Sequence, residues 1–304
     1  MHPVLDDLSR TFVAGTPHMR ESGMAITALS TGRGTMVLPA RADWVGDPVR
    51  QVLHPGVLTV LADSACGLAV GAALDKRVPY ATLDLRMDYL RPAGPDHDVH
   101  CEAHCYRLTR SVAFARADVW QADRSQPIAT AQATFMLSTP GGASPRQAGA
   151  AAAASAVPAW QAPADSLPVL PGLAIPYVDY LGIRMAPGGD APLFRMPYQA
   201  KLIGNPNLPA LHGGVVAGFA ETAALLHLSQ ALGGAKLPKG IDFSVDYLRA
   251  GRPVETFAAC ELVRVGARVA LVQVRCWQSD PATPIIVARG HFLLTAPEGA
   301  ADAG

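Results

Sequence analysis

The sequence predicts an α+β fold: two tandem copies of one domain, each a long central helix wrapped by an antiparallel sheet. Three observations carry this prediction. A set of short motifs recurs down the chain in fixed register. Each copy contains one almost wholly apolar helical stretch, which must be buried on every side. Each such stretch is followed by segments whose apolar residues alternate with polar ones, the period of a strand.

The repeat is the strongest of the three. His54-Pro55-Gly56-Val57 returns 158 positions later as His212-Gly213-Gly214-Val215. The same offset relates Asp47-Pro48 to Asn205-Pro206, Asp63 to Glu221, Asp84 to Asp242, and Asp88-Tyr89-Leu90-Arg91 to Asp246-Tyr247-Leu248-Arg249. After a one-residue gap, Trp120-Gln121 matches Trp277-Gln278, Pro127-Ile128 matches Pro284-Ile285, and Phe135 matches Phe292. Chance does not hold a register over such a distance. The 304 residues, about two domains at the usual ~150 each, are divergent copies of one unit. The copies are expected at 1–140 and 171–296, joined by an Ala/Pro-rich linker at 141–170 and followed by a tail at 297–304.

Within each copy the elements follow one order. An extended segment comes first (Met24 to Leu38; Ile183 to Met196). The apolar helix follows (Val57 to Leu74; Val215 to Leu232), entered through a Gly-containing turn. Each helix is 18 residues, the lower edge of a membrane span. Each also carries a carboxylate among small residues, Asp63 or Glu221, which is costly in lipid, so both are expected to be buried core helices. Next come Leu83, Leu85, Met87 and Tyr89, alternating with Asp84, Arg86 and Asp88; Ile241, Phe243, Val245 and Tyr247 alternate with Asp242, Ser244 and Asp246. Further strands are expected near 99–107, 111–121 and 127–137, and near 257–265, 268–278 and 284–294.

Composition narrows function. Half the residues are hydrophobic and 16% are charged, against roughly 25% in ordinary soluble domains, so the chain can fill its cores. Lys+Arg and Asp+Glu number 25 each. That neutrality leaves no electrostatic footprint for nucleic acid or an anionic membrane. Five scattered cysteines do not form a disulfide framework, and together with the absence of a signal-like N-terminus they point to a reducing cytoplasm. There is no G-x-S-x-G, P-loop, H-E-x-x-H or EF-hand loop. His100, Glu102 and His104 alternate with Cys101, Ala103 and Cys105, so a strand would split that apparent metal cluster between two faces. No metal and no cofactor is expected.

The informative residues stand at the helix starts. Glycines there (Gly56; Gly213 and Gly214) leave backbone N–H groups open at the positive end of the helix dipole, a natural oxyanion hole. Asp63 and Glu221 lie seven residues after Gly56 and Gly214, two turns on and on the same face. A lone carboxylate in an apolar helix should have a raised pKa, suited to a general base, although an acid that only pairs within the core would look the same in sequence.

His-Gly-Gly-Val, an acid nine residues after the His, and a strand reading Thr82 to Pro92 (TLDLRMDYLRP) together resemble the hotdog-fold acyl-CoA thioesterases, closest to the phenylacetate-pathway and 4-hydroxybenzoyl-CoA types. The resemblance covers both copies. It implies a double hotdog, an intramolecular pseudo-dimer with its active site between the copies, and it leaves further association into homodimers open. It further implies a CoA thioester as substrate, with coenzyme A entering only as part of that substrate. In such sites an Asn shortly before the His and the N–H of the residue after it come from one subunit. An Asp or Glu in the helix and a Ser or Thr at the next strand come from the other.

Carried over residue by residue, the two corners are unequal. The second copy offers Asn205, His212 and Gly213; the first offers Asp47, His54 and Pro55, and proline has no N–H to donate. Conversely, the first copy offers Asp63 with Thr82, while the second offers Glu221 with Gly240, which has no hydroxyl. A carboxylate two turns into its own helix is roughly 10 Å from that helix's start, so the acid must face the other copy's helix. One complete site is therefore expected: Asp63 and Thr82 with Asn205, His212 and Gly213. The opposite set (Asp47, His54, Pro55, Gly56, Glu221 and Gly240) is expected to be degenerate. Gly214, Arg91, Arg110, Arg249 and Arg268 are candidates for contacts with CoA. Two other readings remain: an acyl-CoA-binding protein on the same scaffold, and a hydratase or dehydratase, for which His54-Pro55-Gly56-Val57 supplies a Pro-Gly-Val turn but no accompanying His motif.

Overall fold

A computed structural model describes residues 3–138, 174–186, 192–207, 209–233 and 237–296. The expected linker at 141–170 and the tail at 297–304 lie outside the described residues.

The first half runs α1 (Pro3–Thr11), α2 (Pro17–Ser22), β1 (Ala25–Ser30), β2 (Arg33–Leu38), β3 (Val45–Asp47), β4 (Val52–Leu53), α3 (Pro55–Ala72), β5 (Tyr80–Tyr89), β6 (Val99–Leu108), β7 (Val112–Trp120) and β8 (Ala129–Leu137). The second runs α4 (Pro176–Leu181), β9 (Arg184–Ala186), β10 (Leu193–Met196), β11 (Ile203–Asn205), β12 (Ala210–Leu211), α5 (Gly213–Leu232), β13 (Leu237–Tyr247), β14 (Thr256–Val265), β15 (Val269–Trp277) and β16 (Ile286–Thr295). Each expected extended segment is a hairpin (β1–β2; β9–β10), and in the first Gly32 turns the chain with a positive φ. The short helices α1, α2 and α4 were not expected; at six to nine residues they are too brief to show a clear period.

Twelve strands form one antiparallel sheet in the order β1-β2-β6-β7-β8-β5-β13-β16-β15-β14-β10-β9. The two halves of that order are equivalent and meet where β5 pairs with β13. Arg86 lies opposite Ser244, its own repeat mate, so the pseudo-two-fold axis passes through this pair. Flanking it, Asp84 faces Asp246 and Asp88 faces Asp242. Opposed carboxylates repel across a ladder, and Arg86 offsets this by reaching Asp88 at 2.6 Å and Asp242 at 3.5 Å.

Helices α3 and α5 fill the space that the sheet encloses. Every residue of α3 from Gly56 to Ala72 is buried, which accounts for its almost wholly apolar composition. By length and composition both helices could cross a membrane, yet 94% and 72% of their apolar windows are buried within the fold. They pack antiparallel, the start of each against the middle of the other. The contact is close enough to require glycine: a Cβ on Gly56 would lie 2.9 Å from Gly218 Cα, and one on Gly214 would lie 2.7 Å from Val60 Cα. This crossing sets the functional geometry, since it brings each helix start to the other helix's acid. The protein is a double hotdog.

Candidate active site

Both central helices begin with a histidine cap. His54 Nδ1 accepts the Gly56 N–H at 3.0 Å, and His212 Nδ1 accepts the Gly214 N–H at 3.1 Å. An acceptor at Nδ1 leaves the proton on Nε2, which approaches a hydroxyl on the opposite helix: Ser64 for His212 at 3.2 Å, Thr222 for His54 at 3.4 Å. Burial holds both imidazoles neutral, with pKa values of about 4 for His212 and about 3 for His54.

At the start of α5, Asp63 of the first half enters the cap. Its Oδ2 accepts the Gly214 N–H at 2.8 Å, and its Oδ1 accepts the Thr82 hydroxyl at 3.0 Å. A Cβ on Gly213 would stand 3.1 Å from Asp63 Oδ2, so the carboxylate lies directly against the helix start. His212 Nδ1 is 3.5 Å from the same oxygen. With His212 neutral, this is not an ion pair; both atoms accept one shared N–H. Asp63 is buried, and desolvation lifts its pKa to about 6 despite the opposing hydrogen bonds from Thr82 and Gly214.

Thr82 reaches Asp63 through an irregularity in β5. Strict alternation would place Thr82 on the outer face with Asp84, Arg86 and Asp88. The register against β8 slips between Thr82 and Asp84, leaving Leu83 as an extra residue. That bulge reverses the facing of Tyr80 and Thr82, which both turn inward: the Tyr80 hydroxyl donates to Gly67 O at 2.8 Å. The same slip occurs in β13 between Gly240 and Asp242. There the inward position is Gly240, and the space a Cβ would enter is bounded by the Tyr89 ring at 3.1 Å.

The opposite corner has different chemistry. Glu221 is fully buried, and its Oε2 accepts the Tyr89 hydroxyl at 2.9 Å and the Thr59 hydroxyl at 3.1 Å. Its Oε1 is buried with no hydrogen-bond partner among the described residues. Burial pushes its pKa to about 8, so it is mostly a neutral acid at pH 7. The Gly56 N–H is held by the His54 cap, and the preceding residue is Pro55, with no N–H.

The remaining expected residues have other contacts. Asn205 ends β11, where its Oδ1 accepts the Asn207 N–H at 3.0 Å. Asp47 does the same in the first half, accepting Val49 and Arg50 N–H at 3.0 and 2.9 Å and pairing with the Arg50 side chain. Arg91, Arg110, Arg249 and Arg268 are exposed; Arg91 donates to Gln126, and Arg249 donates to Pro284 O at 2.7 Å. On β6, Cys101, Ala103 and Cys105 face the core while His100, Glu102 and His104 face outward. Several neighbours of the site were not singled out from sequence. The ring of His18, in α2, packs 5.5 Å from that of His212, and Tyr177 stacks at 4.7 Å on His54. Tyr247 and Tyr89 flank the two corners, and their recurrence in the repeat was the available signal.

Two fused hotdog domains, each with its central helix wrapped by half of one shared sheet, define the class of the protein, the double hotdogs. The chain belongs to the thioesterase superfamily: the family profile matches residues 50–128 and 208–285, once in each half. It is a thioester hydrolase. Among curated proteins, the medium/long-chain acyl-CoA thioesterase YigI of Salmonella typhimurium is 29% identical over 139 residues, covering 41% of this chain and 88% of the relative. YigI of Escherichia coli K12 matches to the same extent. A crystal structure from Novosphingobium aromaticivorans is 18% identical with a TM-score of 0.65, covering 89% of this chain and 98% of the other. A hot dog fold protein from Alicyclobacillus acidocaldarius is 14% identical with a TM-score of 0.62, covering 90% and 96%. At these identities the two structures establish the fold alone.

Proposed function

We propose that the protein hydrolyses an acyl-CoA thioester at one composite site, built from Asp63 and Thr82 of the first half and His212, Gly213 and Gly214 of the second, with Asn205 at its edge. The observation that carries this reading is the 2.8 Å bond from Gly214 N–H to Asp63, which joins an acid of one copy to the helix start of the other. The curated relatives' acyl-CoA activity supplies the substrate class.

Asp63, with its pKa near 6, is mostly ionised at neutral pH and accepts a proton from water. The water oxygen bonds to the thioester carbon, and the carbonyl electron pair moves onto oxygen. The Gly213 N–H and the α5 dipole stabilise that oxyanion. As the intermediate collapses, the C–S bond breaks and its electron pair leaves on sulfur. A thiol of pKa about 8.5 is a good enough leaving group to need little acid assistance, and the proton held by Asp63 can return to it. Thr82 fixes the carboxylate's orientation, and His212 fixes the helix start. No step draws on a cofactor or a metal.

The test follows free thiol released from a series of acyl-CoAs of increasing chain length. Turnover should rise with pH through about 6 and level off above it, because the base works deprotonated. CoA-ester binding without thiol release at any chain length would instead mark a binding protein on a thioesterase scaffold.

A further inference from the structure

The Tyr247 hydroxyl is buried and has no hydrogen-bond partner among the described residues. An orphaned buried donor bears the cost of its desolvation with no bond to offset it, so an acceptor for it is expected in the working state. Its surroundings identify that acceptor. The Tyr247 ring and Asp63 Oδ2 flank one point, the position a Cβ on Gly213 would take: Tyr247 Cε1 is 3.4 Å from it, Cζ is 3.7 Å, and the carboxylate oxygen is 3.1 Å. The tyrosine therefore stands beside the helix start at which the oxyanion would form.

The repeat supplies an internal control. Tyr89, the mate of Tyr247, gives its hydroxyl to a carboxylate oxygen, Glu221 Oε2, at 2.9 Å. Asp63 is one methylene shorter than Glu221. Its two oxygens are taken up by Thr82 and the Gly214 N–H. At the intact corner the protein thus leaves unfilled the acceptor position that it fills at the degenerate one.

We propose that the Tyr247 hydroxyl is a second oxyanion-hole donor, hydrogen-bonding the thioester carbonyl oxygen alongside the Gly213 N–H. This rests on the hydrolytic reading of the same site. The phenol remains protonated, since burial and the nearby Asp63 and Asp84 carboxylates push its pKa well above that of a free tyrosine. It donates a hydrogen bond and transfers no proton.

The experiment compares wild type with Tyr247→Phe, which keeps the ring. Acyl-CoA hydrolysis should fall on the order of 100-fold in kcat, the usual loss for one oxyanion donor, with KM changed less than about threefold. A second readout does not require turnover: calorimetric binding of two inert ligands, a dethia-CoA ketone that keeps the carbonyl and an S-alkyl-CoA thioether that lacks it. Tyr247→Phe should weaken the ketone about tenfold and leave the thioether unchanged. Unchanged kcat together with unchanged ketone affinity would overturn the proposal, as would equal weakening of both ligands, which indicates packing. If wild type hydrolyses no acyl-CoA, the hydrolytic reading fails, while the ketone–thioether contrast still reports on Tyr247. Should Tyr247→Phe fold poorly, Tyr247→3-fluorotyrosine preserves shape and strengthens the donor, and ketone affinity should then rise rather than fall.

Discussion

The two corners of the pseudo-dimer are copies of one unit whose equivalent residues make different contacts. At one, an aspartate spans the copies to an open helix start; at the other, a glutamate is closed off by Tyr89 and Thr59. Thr82 and Gly240 occupy equivalent bulge positions, but only one carries a hydroxyl. Gly213 and Pro55 occupy equivalent first positions of their helices, but only one carries an N–H. Each copy carries a part that the other lacks. A symmetric dimer of identical chains cannot divide its parts in this way, because any substitution appears at both sites at once. Fusion removes that constraint.

The sharpest way to break the comparison is to neutralise each acid in turn. Asp63→Asn should lower kcat/KM by about 1,000-fold or more, the scale of losing both the base and its alignment, while Glu221→Gln should leave it within twofold. The reverse ranking would place the chemistry at the other corner. A smaller effect is expected from making the second helix start resemble the first. Gly213→Pro should cost on the order of 100-fold in kcat by removing one N–H. The backbone there accepts proline, as Pro55 does at the equivalent position, but the new Cβ would come within 3.1 Å of Asp63 Oδ2, so the kcat loss combines the missing N–H with displacement of the acid. Thr82→Gly reproduces the Gly240 corner and should cost about tenfold. Because the Thr82 hydroxyl lowers the Asp63 pKa, its loss should also move the acid limb of the pH–rate profile upward.

The smallest expected effect is on stability. A carboxyl whose folded pKa is raised stabilises the fold below its unfolded pKa, and that stabilisation is lost as pH rises through the folded value. For Glu221 the window runs from about 4.5 to about 8. Glu221→Gln, which cannot ionise, should therefore gain a few degrees in thermal midpoint over wild type at pH 9 and little or nothing at pH 5. An equal difference at both values would show that Glu221 does not titrate in this window.

Much of this was readable in the chain. The offset of 158 holds because backbone geometry constrains the same motifs twice, and it identified the duplication, the helices and the acids together. The meander strands lie within a few residues of their expected spans, because alternation is a local signal. Other features had no local signal. Strict alternation would turn Thr82 outward, and only the register slip at Leu83 brings it to Asp63. His212, expected among the catalytic residues, has the geometry of a helix cap, which a motif cannot distinguish from a proton carrier. Asn205 and Asp47 both turn toward their own loops, since a short polar side chain before a turn bonds its neighbours' N–H groups most readily.

The sequence by itself thus determined that there are two copies, that each has an apolar helix bearing one acid, and that the corner residues have diverged. These are matters of composition and spacing, recorded one residue after another. Tertiary structure decided which acid meets which helix start and what closes the corner around Glu221. The deciding bond joins residues 151 positions apart, through two helices that approach closely only because glycines at the crossing leave room. Such contacts depend on how helices cross and where strands slip, and neither is written in any local stretch of the chain.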